Sequence, residues 1–222
     1  MPAFLQGGPD MLQVGPLATI ASLSPSILSP LRGGNMGEEI TSQLHAPFYE
    51  GAYRGSRFVG GMQAVIGTAL SVAGATTYTG GLVLSNPVGS SVNAVLETVG
   101  LGFVIAQTNA SVIGIGVGYS TTALSGTLTS VTPRSAKVGS PFSPQCGLYS
   151  SASITLPIAP TLAAVLMSVD TGALTVGVNA GGVFDLKGSI VLQPGAFAML
   201  WSSAAGTASS MMASYQWEEV PV

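Results

Sequence analysis

Histidine occurs once in this chain, as His45, and cysteine once, as Cys146. Enzymes that shuttle protons, attack carbonyls or hold zinc use such side chains in clusters, so this stock bounds the chemistry at once. A multi-histidine metal site is excluded, and a Ser-His-Asp arrangement would have to be built around His45. His45 lies beside a proline-rich stretch, where its expected duty is a hydrogen bond that anchors a short helical turn. Asp170 and Asp185 are the pair a glycoside hydrolase would need. Each sits where a turn or strand end would place it, and turn duty is the expectation. Gly114, Gly116 and Gly118 copy the opening of a dinucleotide-binding loop, but no helical pattern follows and no acidic residue lies about twenty positions on. Asn109-Ala110-Ser111 matches a glycosylation acceptor, with no export route to use it. Cys146 reads as a small, semi-buried side chain rather than a reactive thiol. Alone, it excludes an internal disulfide framework and fits assembly in the cytoplasm. No catalytic, cofactor-binding or metal-binding residue is assigned, and the chain is expected not to be an enzyme.

Composition says what the chain does instead of catalysis. Only 7% of the 222 residues are charged, where an average soluble domain carries roughly 25%, and mean hydropathy is +0.54. A free monomer with so little charge would be short of solubility, so much of its surface is expected to be covered. A membrane is not the expected cover. The uncharged stretches Val59 to Leu96 and Thr98 to Pro133 are broken every few residues by Gly, Ser, Thr, Asn or Pro, and no window offers about 20 consecutive apolar residues. Met1 to Gln13 lacks a basic leader segment and carries Pro2, Pro9 and Asp10, so no export is expected, which also disfavours an outer-membrane barrel. The net charge is −3, and the six basic residues (Arg32, Arg54, Arg57, Arg134, Lys137, Lys187) form no stripe; direct nucleic-acid binding is not expected. Burial against copies of itself or against partners remains.

Composition also divides the chain, near residue 59. Pro2, Pro9, Pro16, Pro25, Pro30 and Pro47 all precede that point and disfavour long helices and interior strands. Residues 1–43 therefore read as an extended arm with short turns, too rich in apolar residues such as Phe4, Leu17, Ile20 and Leu31 to be a solvated tail, and expected to dock on a neighbour. A short helical turn is predicted at 46–56, with Glu50 and Arg54 paired four apart, Tyr53 one turn beyond Phe48 and Tyr49, and Gly55 as its stop. From Gly60 onward Thr, Val, Ser and Ile with frequent turn signals predict strands. The predicted strands are 62–72, 78–86, 92–106, 111–119, 127–138, 148–157, 161–169, 173–179, 183–192, 196–203 and 209–219. Turns are placed at Asn86-Pro87 with Gly89, at Asp170 with Gly172, at Asn179 with Gly181 and Gly182, and at Pro194-Gly195, the last of type II. The fold class is all-β, a jelly-roll-like sandwich over residues 60–222, preceded by an arm and clasp over 1–59.

Two segments carry a resemblance. Leu44-His45, Phe48-Tyr49-Glu50, Tyr53-Arg54-Gly55 and Phe58 are followed by Leu82-Val83-Leu84-Ser85-Asn86-Pro87, Gly89-Ser90 and Val92-Asn93. Near the other end stand Gly188-Ser189-Ile190, Leu192, Pro194-Gly195 and a last strand closing on Trp217-Glu218-Glu219. These segments, roughly 44–106 and 185–219, resemble a group of tailed-phage virion structural proteins of the capsid decoration, cement or head-fibre type. Ala46-Pro47 departs from the glycine and basic residue expected there, so the local turn is expected to differ. The resemblance implies a non-enzymatic jelly-roll-like protein, plausibly a homotrimer, located in the virion after assembly in the host cytoplasm. Its implied partners are its own copies and the major capsid protein or other virion proteins, bound through the arm, with no nucleic acid, membrane or cofactor. The alternative it implies is a tail fibre, adaptor or receptor-binding component of the same virion.

The residues themselves add a physical reading. His45, Phe48, Tyr49, Glu50, Arg54 and Phe58 are expected to form a clasp between arm and β domain, the aromatics as anchors and Arg54 reaching both Glu50 and a backbone carbonyl; plain core packing by those aromatics is the competing expectation. Trp217 is expected in the core or at a trimer axis. Glu218 and Glu219 are expected to guard an exposed edge at the tip of the last strand.

Overall fold

The computed structural model describes residues 12–14, 31–33, 48–63, 75–78, 81–105, 109–150, 153–169, 181–204 and 210–222. The chain separates into two compact units, Met1–Pro47 and Phe48–Val222. In the first, strands β1 (Leu12–Val14) and β2 (Leu31–Gly33) pair in parallel. The compositional break at residue 59 falls inside the first strand of the second unit rather than between units.

The second unit opens with a single short helix, α1 (Tyr49–Arg54), and continues almost wholly in strands. These are β3 (Arg57–Gly61), β4 (Thr77–Tyr78), β5 (Leu82–Ser85), β6 (Val92–Ile105), β7 (Ser111–Tyr119), β8 (Ser125–Thr127), β9 (Arg134–Ser135) and β10 (Gly147–Ser150). They continue as β11 (Ser153–Thr155), β12 (Thr161–Val169), β13 (Gly181–Leu192), β14 (Ala196–Ser202) and β15 (Ser210–Pro221). Gly55 stops the helix with φ +80, and a Cβ there would fall 2.1 Å from the Phe142 ring, so both the left-handed backbone and the close ring require glycine.

Eight strands pair like the rungs of one rolled antiparallel ribbon: β3 with β15, β5 with β14, β6 with β13 and β7 with β12. Rolling places them in two sheets, ordered β13-β6-β15-β3-β9 and β10-β5-β14-β7-β12. Successive strands thus alternate between sheets except at β7–β12, where the ribbon turns back, which is the jelly-roll connection pattern. The short strands β9 and β10 come from the excursion between β7 and β12 and extend one sheet each. That excursion also supplies β8 and β11, which join β4 in a separate three-stranded sheet.

Side chains show how the layers stack. In β5, Leu82 and Leu84 enter the main core with Leu96, Ile113, Ile115, Leu200, Tyr215 and Trp217, while Val83 faces the other way. Val83 joins Phe197, Met199, Ile154 and Leu156 in a second core, between the β10–β12 sheet and the small sheet. β5 and the Phe197–Leu200 run of β14 are therefore buried on both faces, which accounts for continuous apolar runs where a half-exposed strand would alternate. Gly114, Gly116 and Gly118 alternate with the core residues Ile113 and Ile115 along β7. Their missing side chains make room for Leu162, Trp201 and Phe197.

The strands predicted at 111–119 and 161–169 coincide with β7 and β12, and Pro194-Gly195 makes the predicted type II turn, with Gly195 at φ +90 and the Ala196 N–H on the Gln193 carbonyl at 2.9 Å. The strand placed at 127–138 is a correction: only Ser125–Thr127 and Arg134–Ser135 are extended ladders there. Pro133, with Pro141 and Pro144 beyond it, removes ladder donors. The first strand lies at Arg57–Gly61, ahead of the predicted 62–72. Residues 64–72, the predicted strand 173–179 and the turns at Asp170 and Asn179 lie outside the described residues. The last strand is a second correction. β15 is not an edge: β6 and β3 flank it, so Glu218 and Glu219 cannot act as edge guards.

The packing at β7 is directly testable. A Cβ on Gly118 would lie 2.4 Å from Phe197 Cζ. Gly118→Ala is expected to cost about 1–3 kcal/mol in urea unfolding, and less than half of that in a Phe197→Leu background. Equal costs in both backgrounds would place the clash elsewhere.

Candidate functional site

Polar chemistry in the β unit gathers where α1, β3 and the last strand meet. β15 lies between β3 and β6, and the β6–β15 ladder passes from Thr98–Gln216 to Leu96–Trp217, skipping Glu97. This bulge lets both Leu96 and Val99 face the core and turns the Glu97 carboxylate across the sheet. There it receives the Arg57 Nε–H in a buried ion pair. Arg57 also donates to Gln216 Oε1 at 3.2 Å, and the Phe48 ring lies 3.9 Å from the guanidinium carbon. Phe48, the helix N-cap residue, holds a left-handed φ of +73 to reach that position. Opposite the bulge, β13 carries its own: its ladder jumps from Asp185–Thr98 to Ile190–Leu96. Asp185 Oδ1 accepts the Lys187 N–H at 2.9 Å within that bulge, the turn duty expected of it.

Burial raises the Glu97 pKa above the ordinary carboxylate value. The Arg57 charge and hydrogen bond oppose that rise, and the negative charges of Glu218 and Asp185 add to it.

A second carboxylate, Glu219, is buried without a cation. Its Oε1 accepts the Cys146 N–H at 2.9 Å and the Trp217 indole N–H at 3.2 Å, and its Oε2 accepts the Gln145 N–H at 2.9 Å. Its own N–H donates to the Ser56 carbonyl at 2.7 Å, and the Ser56 hydroxyl donates to Glu218 Oε1 at 2.8 Å. Helix, last strand and the 136–146 loop are joined here. Burial, followed by the neighbouring Glu219 charge, pushes the Cys146 thiol pKa up, which suppresses the reactive thiolate.

Of the six clasp residues, His45 lies outside the described residues. Phe48 covers the Arg57–Glu97 pair. Glu50 and Arg54 pair at 2.6 Å on an open helix face, with side chains 62% and 72% exposed. Tyr49 stacks on Tyr53 at 5.9 Å, and the Lys137 ammonium stands 4.5 Å from the Tyr53 ring. Phe58 faces the core against Trp217 at 6.1 Å. Sequence reasoning missed Arg57, Glu97, Gln216 and Glu219. Glu97 carried a signal: it is the one Asp, Glu, Lys, Arg or His between Phe58 and Pro133, and a lone acid inside an apolar strand calls for a cation on a neighbouring strand.

Among the described residues no group of three His, Cys, Asp or Glu side chains is placed to hold a metal, and no helix is long and apolar enough to cross a membrane. A cleft of about 260 Å³ lies over the second core, lined by Leu124, Leu128, Tyr149, Phe197 and other uncharged residues. No protein-family model, curated protein or solved structure matches the chain. The geometry assembles structural anchors: two internal carboxylates, each satisfied, at the seam where the β unit begins.

These anchors differ in weight. Arg57→Leu leaves Glu97 buried without a partner and is expected to cost about 3–5 kcal/mol near pH 7.5. A carboxyl whose folded pKa is raised loses stability as pH rises from its unfolded value, about 4.3, so the penalty of Arg57→Leu shrinks on acidification toward that value. Urea titrations at pH 4.5 and 7.5 test this; the same penalty at both would mean that Glu97 is not the group left behind. Arg54→Ala, on the open helix face, is expected to change stability by no more than about 0.5 kcal/mol.

Proposed function

We propose that this chain is a non-enzymatic structural protein of a tailed-phage virion, a homotrimeric decoration or cement protein that binds the capsid surface through its N-terminal segment. The observation that carries the reading is the distribution of charge. Not one Asp, Glu, Lys or Arg lies on β5, β7, β10, β12 or β14, nor on the small sheet β4-β11-β8. A free globular domain keeps such layers soluble with mixed charge on its outer strands. On β12 of these layers Val165 stands 61% exposed instead, and elsewhere Val104 on β6 and Val138 in the loop after β9 stand 61% and 93% exposed. Apolar surface of this kind marks faces meant to be covered, by copies in closed symmetry, which does not grow without limit, or by the capsid.

The jelly-roll scaffold and the resemblance of residues 44–106 and 185–219 to phage decoration proteins support the same reading. Light scattering of the purified protein at about micromolar concentration is expected to give a single trimer mass. Deleting residues 1–43 is expected to leave that mass at three copies while abolishing binding to undecorated capsids. Unchanged capsid binding by the truncated chain overturns the role given to the N-terminal segment. Antibody labelling confined to the tail would move the protein to a fibre or adaptor.

A further inference from the structure

The outer face of the β13-β6-β15-β3 sheet is divided along its strands. Core residues fix which side chains point outward. On β6, Val99, Leu101 and Phe103 enter the core, so Gly100, Gly102 and Val104 face out; on β15, Met211, Ala213 and Tyr215 enter it, so Met212 and Ser214 face out. Toward α1 this face carries Arg57, Glu97, Gln216 and Glu218 and is covered by Phe48. The row through Gln216 ends in Asp185 on β13 and Arg134 on β9, and among the described residues the two rows beyond it carry no charged side chain. The ladder sets Val183 beside Gly100, Gly100 beside Ser214 and Ser214 beside Gly61, with Met212 beside Gly102 in the next row. Val183 is 77% exposed, Val104 61% and Met212 39%. The glycines between them form the floor of a hollow of about 450 Å³. At Gly102 a Cβ would meet nothing within 4 Å, so the floor is open rather than filled from inside.

We propose that this glycine-floored half-face is where copies of the chain meet one another, with Val183 and Met212 of one copy seated on the glycines of the next. Charge selects the occupant. A partner surface of ordinary composition, about a quarter charged, would bury ions against Val183 and Met212 with only one acid and one base, Asp185 and Arg134 at opposite ends of the adjoining row, to pair them, at a cost of several kcal/mol per unpaired ion. The half-face itself brings no ions, and it presents protruding side chains next to a hollow, so it matches its own copy. A patch that meets the same patch on other copies lies on the rotation axis of the assembly, where like residues come together. The contact is made by side chains and not by an added strand, because the adjoining edge strand β13 is interrupted by its Leu186–Ser189 bulge.

This inference rests on the reading of the chain as a self-assembling protein, and the experiment separates the two. Val183→Asp and Met212→Lys, on two different strands, place a charge on exposed positions and so leave folding by circular dichroism unchanged. Each is expected to lower the light-scattering mass of the full chain to that of one 22.2 kDa protomer. Val165→Asp, equally open on the other sheet at 61% exposure, is expected to keep the parental mass. In Val183→Cys a short bis-maleimide is expected to join copies through that residue, since the native Cys146 is buried. If the parent is oligomeric, both charged variants keep its mass and Val183→Cys gives no cross-link, the half-face is not the contact, while self-assembly stands. Dissociation by Val165→Asp as well as by the other two removes the assignment of this face. A monomeric parent overturns both readings.

Discussion

The end of the chain is threaded through the middle of a sheet, and a carboxylate two positions past Trp217 governs what gathers around it. Glu219 is buried, yet no lysine or arginine reaches it; backbone and indole N–H groups do the work instead. A hydrogen bond to a charged acceptor is worth about 1.5–3 kcal/mol, so these contacts hold the surrounding backbone in place. Two of those donors belong to Gln145 and Cys146, at the point where the long excursion between β7 and β12 returns to the sandwich. The excursion supplies β8, β9, β10 and β11, so two sheet edges and most of the third layer hang from a segment tied down at this carboxylate. The Ser56 carbonyl, held by the Glu219 N–H, then fixes where α1 hands over to β3.

From that anchor the charge economy of the molecule becomes intelligible. With so few charged residues, those described in the second unit fall in two places. Most sit at the α1–β3–β15 seam and in the adjoining 134–137 segment; Asp185 and Lys187 occupy the β13 bulge. At the seam they have structural duties that apolar residues could not perform, since a bulged strand and a returning loop leave backbone donors needing acceptors. Elsewhere β5 and β14 of the second sheet are buried on both faces by a layer drawn from the same chain, so these two strands need no polar outer face. High mean hydropathy without a membrane-length apolar segment follows from this three-layer arrangement together with open apolar patches at the rim.

How much of this was legible in the sequence depends on whether the signal was local. β7 and β12 were readable because runs of strand-favouring residue types bounded by turn residues are local facts, and the Pro194-Gly195 turn because its backbone demand is met by two adjacent residue types. The helix and its glycine stop were equally local. The third layer was not readable. β4 and β11 are two and three residues long, and the burial of Ile154 on β11 depends on Val83, Phe197 and Met199, which are remote in sequence. The partner of Glu97 was likewise remote, 40 positions away across a strand that the sequence placed at an edge. Placing β15 at an edge was the costliest misreading, since it gave Glu218 and Glu219 a task facing solvent when one of them is a buried pin.

The sheet edges add a constraint on how copies can come together. On one side both edges are short, with β9 two residues long and β10 four. On the other, β12 and β13 are long but irregular: β12 shifts register twice against β7, and β13 holds a four-residue bulge with Lys187 and Gly188 at positive φ. Short edges and bulged edges both defeat strand-to-strand addition. A chain this poor in charge would otherwise polymerise through its edges, because nothing electrostatic would oppose it. Blocking the ladders while leaving apolar faces open confines association to contacts between side chains. Contacts of that kind would have a fixed geometry able to close into a ring, whereas an added strand leaves a new edge each time.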